Sequence, residues 1–128
     1  MPARRIYHIA LQGAWDAAPS KGGYSAASLE TEGFIHASTL PQLQEVAERL
    51  FAGTPDLIVL CIDPDRVVPE IKFENCEGGE ERYPHIYGVL GLEAVCGTAP
   101  LRFEADGTVP FDCLIDIATA GGEIEPEA

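Results

Sequence analysis

Positive charge is what this 128-residue sequence has least of. Eight Lys and Arg stand against 21 Asp and Glu, for a formal net charge of −13. Non-specific affinity for nucleic acid comes largely from Lys and Arg neutralising phosphates, and here the basic residues are scattered singly apart from Arg4-Arg5. Neither nucleic acid nor an anionic membrane is therefore expected as a partner. No apolar run approaches the ~20 residues that a membrane helix needs. Met1-Pro2-Ala3-Arg4-Arg5 leads directly into Ile6-Tyr7-His8-Ile9 without a long apolar segment or a small-residue cleavage site, so no signal peptide is expected. A soluble cytoplasmic protein is the default reading. Closely spaced cysteines are missing too. The four, at 61, 76, 96 and 113, form no C-x-x-C pair, which removes zinc ribbons and thioredoxin-like redox motifs. Cys61, Cys96 and Cys113 lie in apolar surroundings and read as buried thiols. Cys76, between Asn75 and Glu77, reads as exposed, where neighbouring acids disfavour a reactive thiolate. The sequence also lacks a G-x-S-x-G elbow and both glycine-rich phosphate loops.

What is present suffices for one core. Hydrophobic residues make up 46% of the chain, and the length suits one domain of roughly 100–150 residues. The expectation is a single domain over residues 1–118 and an acidic flexible tail over 119–128. From Glu104 to Ala128 there are seven acidic side chains and no basic one, which reads as solvation. Arg5 to Leu11, Gly33 to Ser38, Asp56 to Ile62, Glu70 to Glu74, Tyr83 to Gly88 and Val95 to Phe103 read as strands. One main amphipathic helix is expected at about 40–52, where Leu43, Val46, Ala47, Leu50 and Phe51 share a face. Trp15 to Ala18 reads as one helical turn stopped by Pro19, and Phe111 to Ile117 as helix or strand. Few helices and several non-alternating strands indicate an α+β fold.

The three histidines recur in similar aromatic or apolar settings: Tyr7-His8-Ile9, Ile35-His36-Ala37 and Pro84-His85-Ile86. Each sits near small or chain-breaking residues, where strand ends place side chains at the mouth of a cleft. Histidine there serves as acid, base, hydrogen-bond donor or metal ligand near neutral pH. Three readings stay open: the histidines orient a polar ligand such as a ribose while Tyr7, Trp15, Tyr24 or Tyr87 stacks on a ring; they ligate a metal; or they are structural. Spacings of 28 and 49 residues match no local zinc signature, so no metal is expected.

These motifs, together with Gly23-Tyr24, Ser28-Leu29-x-x-Glu32-Gly33-Phe34-Ile35-His36-Ala37-Ser38, the helix carrying Val46-Ala47, and Tyr83-Pro84-His85-Ile86-Tyr87-Gly88, resemble the small bacterial proteins of domain-of-unknown-function family 952. The resemblance spans roughly residues 4–110. A more distant similarity is to ADP-ribosyltransferases and RNA 2′-phosphotransferases. It implies a split mixed sheet, a cleft lined by His8, His36 and His85 as catalytic groups, and NAD as a substrate with no tightly bound cofactor. By that similarity His8 grips ribose, His36 or Ser38 faces the cleft, Tyr7, Trp15, Tyr24 and Tyr87 serve ligand binding, and Glu74 is a candidate for the late carboxylate. The sequence departs from the transferase pattern at His8-Ile9-Ala10, which lacks the usual glycine, and in having no arginine in the second-motif strand. A non-catalytic nucleotide-binding module on the same fold is the alternative.

Overall fold

Six consecutive apolar residues, Leu57–Ile62, form the strand around which the molecule is arranged, and all six are buried. In chain order the elements are β1 (Ile6–Leu11), α1 (Gln12–Lys21), α2 (Ala27–Thr31), β2 (Ile35–His36), α3 (Leu40–Phe51), β3 (Leu57–Ile62), β4 (Ile71–Glu74), β5 (Tyr83–Ile86), β6 (Val95–Leu101) and α4 (Phe111–Ala120), with single 3₁₀ turns at Pro64–Arg66 and Leu92–Ala94. This is a computed structural model, and it describes residues 5–75 and 78–123. The strands make two antiparallel sheets, ordered β1-β3-β6 and β2-β5-β4.

Side chains alternate across a strand, and that alternation in β3 divides the interior in two. Leu57, Val59 and Cys61 enter a core closed by Leu43 and Ala47 of α3 and by Cys113 and Ile117 of α4. Ile58, Leu60 and Ile62 enter a second core shared with Ile35 and Ile86 of the smaller sheet and with Ala18 of α1. The first sheet is thus covered on one face by helices and on the other by the second sheet. Two glycines permit close approaches. A Cβ on Gly97 would lie 2.2 Å from the Ala120 carbonyl oxygen, so β6 and α4 meet backbone to backbone there. A Cβ on Gly23 would lie 2.8 Å from Val89 Cγ1, and this contact lets Tyr24 exchange backbone hydrogen bonds with Leu90.

The α+β expectation holds, with differences. Both sheets are wholly antiparallel rather than mixed. The expected main amphipathic helix is α3, and among the described residues three further helices accompany it. Pro19 does not stop α1, because a proline in the last turn forfeits only one helical hydrogen bond; Gly22, at φ 76°, ends it instead. The ambiguous segment at 111–117 is helical, and α4 runs to Ala120, past the domain edge expected at 118. Arg5 donates through Nε to the Gly121 carbonyl at 2.9 Å and through its backbone N–H to Glu123 at 3.1 Å, which fastens the end of α4 to β1. Residues 124–128 lie outside the described residues, as does Cys76. Cys61 and Cys113 are buried, but Cys96 is exposed on β6. No helix among the described residues is long and apolar enough to cross a membrane.

Candidate functional site

β1 pairs with β3 along one edge only. On its other edge Tyr7 exchanges backbone hydrogen bonds with Ser38, at 2.8 and 2.7 Å. Beyond this bridge a cleft of about 530 Å³ opens between β1, the segment around Tyr24–Ser28, β2 and α3. Five consecutive residues of β1, Tyr7–Leu11, line it. A single strand face would contribute alternate residues only, so the edge of the strand forms the wall.

His8 is buried and fully engaged. Its Nδ1 lies 2.5 Å from the His36 carbonyl oxygen and its Nε2 lies 2.7 Å from the Tyr24 hydroxyl. A carbonyl oxygen can only accept, so the proton on His8 is assigned to Nδ1. Burial pushes the imidazole pKa down to about 4, against a smaller opposing effect of the His36 carbonyl, so the ring is neutral and Nε2 accepts from Tyr24. Burial pushes the Tyr24 hydroxyl up to about 12, so it keeps its proton.

On the opposite wall His85 is nearly inaccessible, and its ring stacks on Phe34 with centroids 4.1 Å apart and planes 15° from parallel. Register explains its partner. His85 faces Lys72 across β4·β5, and Glu74, two residues along β4, is a diagonal neighbour on the same face. Glu74 Oε1 accepts from His85 Nδ1 at 3.0 Å and from the Tyr87 hydroxyl. Those two hydrogen bonds, Tyr87 first, hold the Glu74 carboxyl below its ordinary pKa. Lys72 Nζ lies 4.9 Å from the centre of the Tyr87 ring. The His36 ring packs edge-on against His85 at 5.2 Å and is itself paired with Glu32 at 2.9 Å on the surface.

The structure therefore brings His8, His36, His85, Tyr24 and Ser38 to one cleft. The Ser38 hydroxyl makes no hydrogen bond among the described residues, although Ser38 is buried. Three of the proposed stacking residues are placed differently. Alternation along β1 turns the Tyr7 ring away from His8 into the helix-side core, wholly buried, where burial raises its hydroxyl pKa; it cannot stack on a ligand. Trp15 packs behind Tyr24 at 6.3 Å, and Tyr87 stands behind His85 against Phe34 and Glu74. Among the described residues the cleft lining includes no Asp or Glu, and Arg49 is its cation. Phe34 and Arg49 were not singled out by sequence reasoning, and neither was Leu50, which is 58% exposed at the cleft although the helical periodicity counts it as core. No group of His, Cys, Asp and Glu among the described residues is arranged to hold a metal ion.

Residues 9–98 match the family model described as Protein of unknown function (DUF952). The chain belongs to this family. The family match takes in Tyr24, His36, Glu74 and His85 and begins one residue after His8. Solved structures similar to this chain agree with it over most of the fold. The X-ray crystal structure of protein CC0527 from Caulobacter crescentus is 34% identical, with a TM-score of 0.76, covering 87% of this chain and 98% of that one. A double-mutant crystal form of CC0527 gives a TM-score of 0.75 at the same identity and coverage. Its solution NMR structure is 36% identical with a TM-score of 0.71, covering 84% of this chain and 91% of the other. No curated protein matches the sequence.

Proposed function

We propose that the cleft binds a ribose-bearing nucleotide, with NAD as the first candidate, and that the protein is a small-ligand-binding module of the family. One observation carries this reading: the three histidines and Tyr24 converge on a single cleft with no carboxylate in its described lining, in a chain whose net charge is −13. An anionic or neutral ligand avoids the acidic coat there. Small-molecule sites combine mostly apolar walls with a few convergent polar groups, and Ile9, Ala10, Ala37, Val46 and Leu57 supply such walls here. The transferase-like role of His8 changes in this geometry. Both of its ring nitrogens are engaged, so Tyr24, which it holds, is the group left to meet a ribose hydroxyl.

ADP-ribosyl transfer is the second reading, and the His85–Glu74 pair favours it, since a carboxylate that orients an imidazole is a general-base arrangement. Glu74 itself is badly placed to face an oxocarbenium-like centre, because it stands behind His85 and outside the described lining. Binding without turnover is therefore the expected behaviour. Calorimetric titration with NAD and with ADP-ribose, alongside chromatographic detection of free nicotinamide, separates the readings. The expected result is saturable binding, weakened in Tyr24→Phe, with no nicotinamide above the protein-free control. Nicotinamide release that disappears in His85→Ala would replace the binding module by the transferase. Absence of binding to either compound at millimolar concentration would overturn both.

A further inference from the structure

Backbone groups alternate along an antiparallel strand, one residue turning its N–H and C=O to one side and the next to the other. Tyr7 turns both of its groups away from β3, to Ser38. The register with β3 runs unbroken from Ile6 to Leu11, so His8 and Ala10 face β3 while Ile9 points outward like Tyr7. Past the Tyr7–Ser38 bridge no further strand pairs with this edge, and the Ile9 N–H and C=O have no partner among the described residues. They are not turned to open solvent either, since Ile9 is 8% exposed and lines the cleft. A third polar group lies beside them. Ser38 is 4% exposed, lines the same cleft, and its hydroxyl has no partner among the described residues. Ser38 is paired with Tyr7 and is therefore a diagonal neighbour of Ile9 on the same face, at about 7–8 Å. Buried polar groups are nearly always paired, so three left open at one place mark a point of contact for a ligand.

We propose that the Ile9 main chain, with the Ser38 hydroxyl beside it, reads the polar edge of the ligand's base: a planar group carrying an acceptor and an N–H donor side by side. The inference rests on the nucleotide reading above and names the part of the ligand that the strand recognises. The acceptor takes the Ile9 N–H, the donor gives to the Ile9 carbonyl, and Ser38 supplies a third hydrogen bond. Adenine offers this pair at N1 and its 6-amino group, and a carboxamide offers it at its oxygen and nitrogen. The length of the free edge excludes an added peptide strand. Only Ile9 and Leu11 point outward before α1 begins at Gln12, against roughly five or six residues in an ordinary strand. The cleft of about 530 Å³ is of small-molecule size. A neutral donor–acceptor pair needs no counter-charge, in keeping with a described lining that holds no Asp or Glu.

Two measurements test this, and the first needs no ligand. In the free protein the Ile9 amide is expected to exchange its proton at least about tenfold faster than those of His8 and Ala10, which β3 protects. Equal protection overturns the proposal, because Ile9 would then already have a partner. The second is calorimetric titration with two matched pairs of nucleosides. Purine riboside is adenosine without its 6-amino group, and nicotinic acid riboside is nicotinamide riboside with a carboxylate in place of the carboxamide. Leaving the Ile9 carbonyl unpaired costs about tenfold or more in affinity, so adenosine or nicotinamide riboside is expected to exceed its partner by that factor. The pair that discriminates identifies the source of the edge. The favoured nucleoside is expected to slow Ile9 exchange. Ser38→Ala is expected to weaken its binding about threefold or more without lowering the thermal midpoint, since the hydroxyl holds no protein group. Unchanged affinity in that variant removes Ser38 from the site. Equal affinities within both pairs overturn the base-edge reading and leave the nucleotide reading standing. Binding of none of the four overturns the nucleotide reading and this one with it.

Discussion

At the scale of single residues, His8 shows the cost of burying a titratable group at the cleft. Its imidazole has an ordinary pKa of 6.5 in the unfolded chain and about 4 in the fold, chiefly because burial penalises the charged form. Between those values the unfolded chain binds a proton that the folded chain does not. Stability must therefore fall as pH drops from about 6.5 towards 4, with a limiting slope of about 1.4 kcal/mol per pH unit from this one group. Urea unfolding at pH 7, 5.5 and 4.5 is expected to show that loss, and His8→Gln is expected to flatten it. Glu74 also loses stabilisation in acid, because its carboxyl is held below the ordinary 4.5. Its window starts lower, so the two contributions are separable. The histidines were legible in the sequence as a group because three similar contexts recur. Their partners were not, since Glu74 and His85 meet only through strand pairing, and Tyr24 reaches His8 from a loop 16 residues away.

At the scale of elements, the legible ones were those with strong local signals. The i, i+3, i+4 pattern of α3 and the unbroken apolar run of β3 announce themselves, and both lie within a residue or two of the expected bounds. In contrast, α1 has little segregation of apolar residues and carries a proline, so its length is set by packing of Ala18 beneath the first sheet. The helix α4 was ambiguous because a short apolar segment fits either period; docking on β6 decides it. Gly97 is the contact that permits this docking, and Gly97→Ala is expected to cost about 1–3 kcal/mol, the range for overpacking a close contact. A drop in the midpoint of chemical denaturation with an unchanged slope checks it. The same substitution at Gly13, where an added Cβ meets nothing within 4 Å, supplies the comparison and is expected to be no more destabilising than a surface change.

For the molecule as a whole, the charge imbalance reads correctly as a property of the exterior. Composition says how much acid there is, and only the fold shows that the described cleft lining excludes it. Self-repulsion of a strongly charged surface opposes the compact state and is screened by salt, so the thermal midpoint is expected to rise between about 20 and 300 mM sodium chloride. A fall or no change would show that the acids are already compensated. The sequence motifs pointed to a family and to a shared histidine site, while the cleft's width, its apolar walls and the exclusion of Tyr7, Trp15 and Tyr87 from stacking follow from alternation and sheet packing. The central claim is that the histidine cleft is the ligand site. Its most direct test is a titration of the histidine-labelled protein with NAD, followed by the ring signals of His8, His36 and His85. The account predicts that the three shift together along one saturating curve; signals that stay in place up to about 5 mM ligand, weaker than any specific affinity at issue, would contradict it.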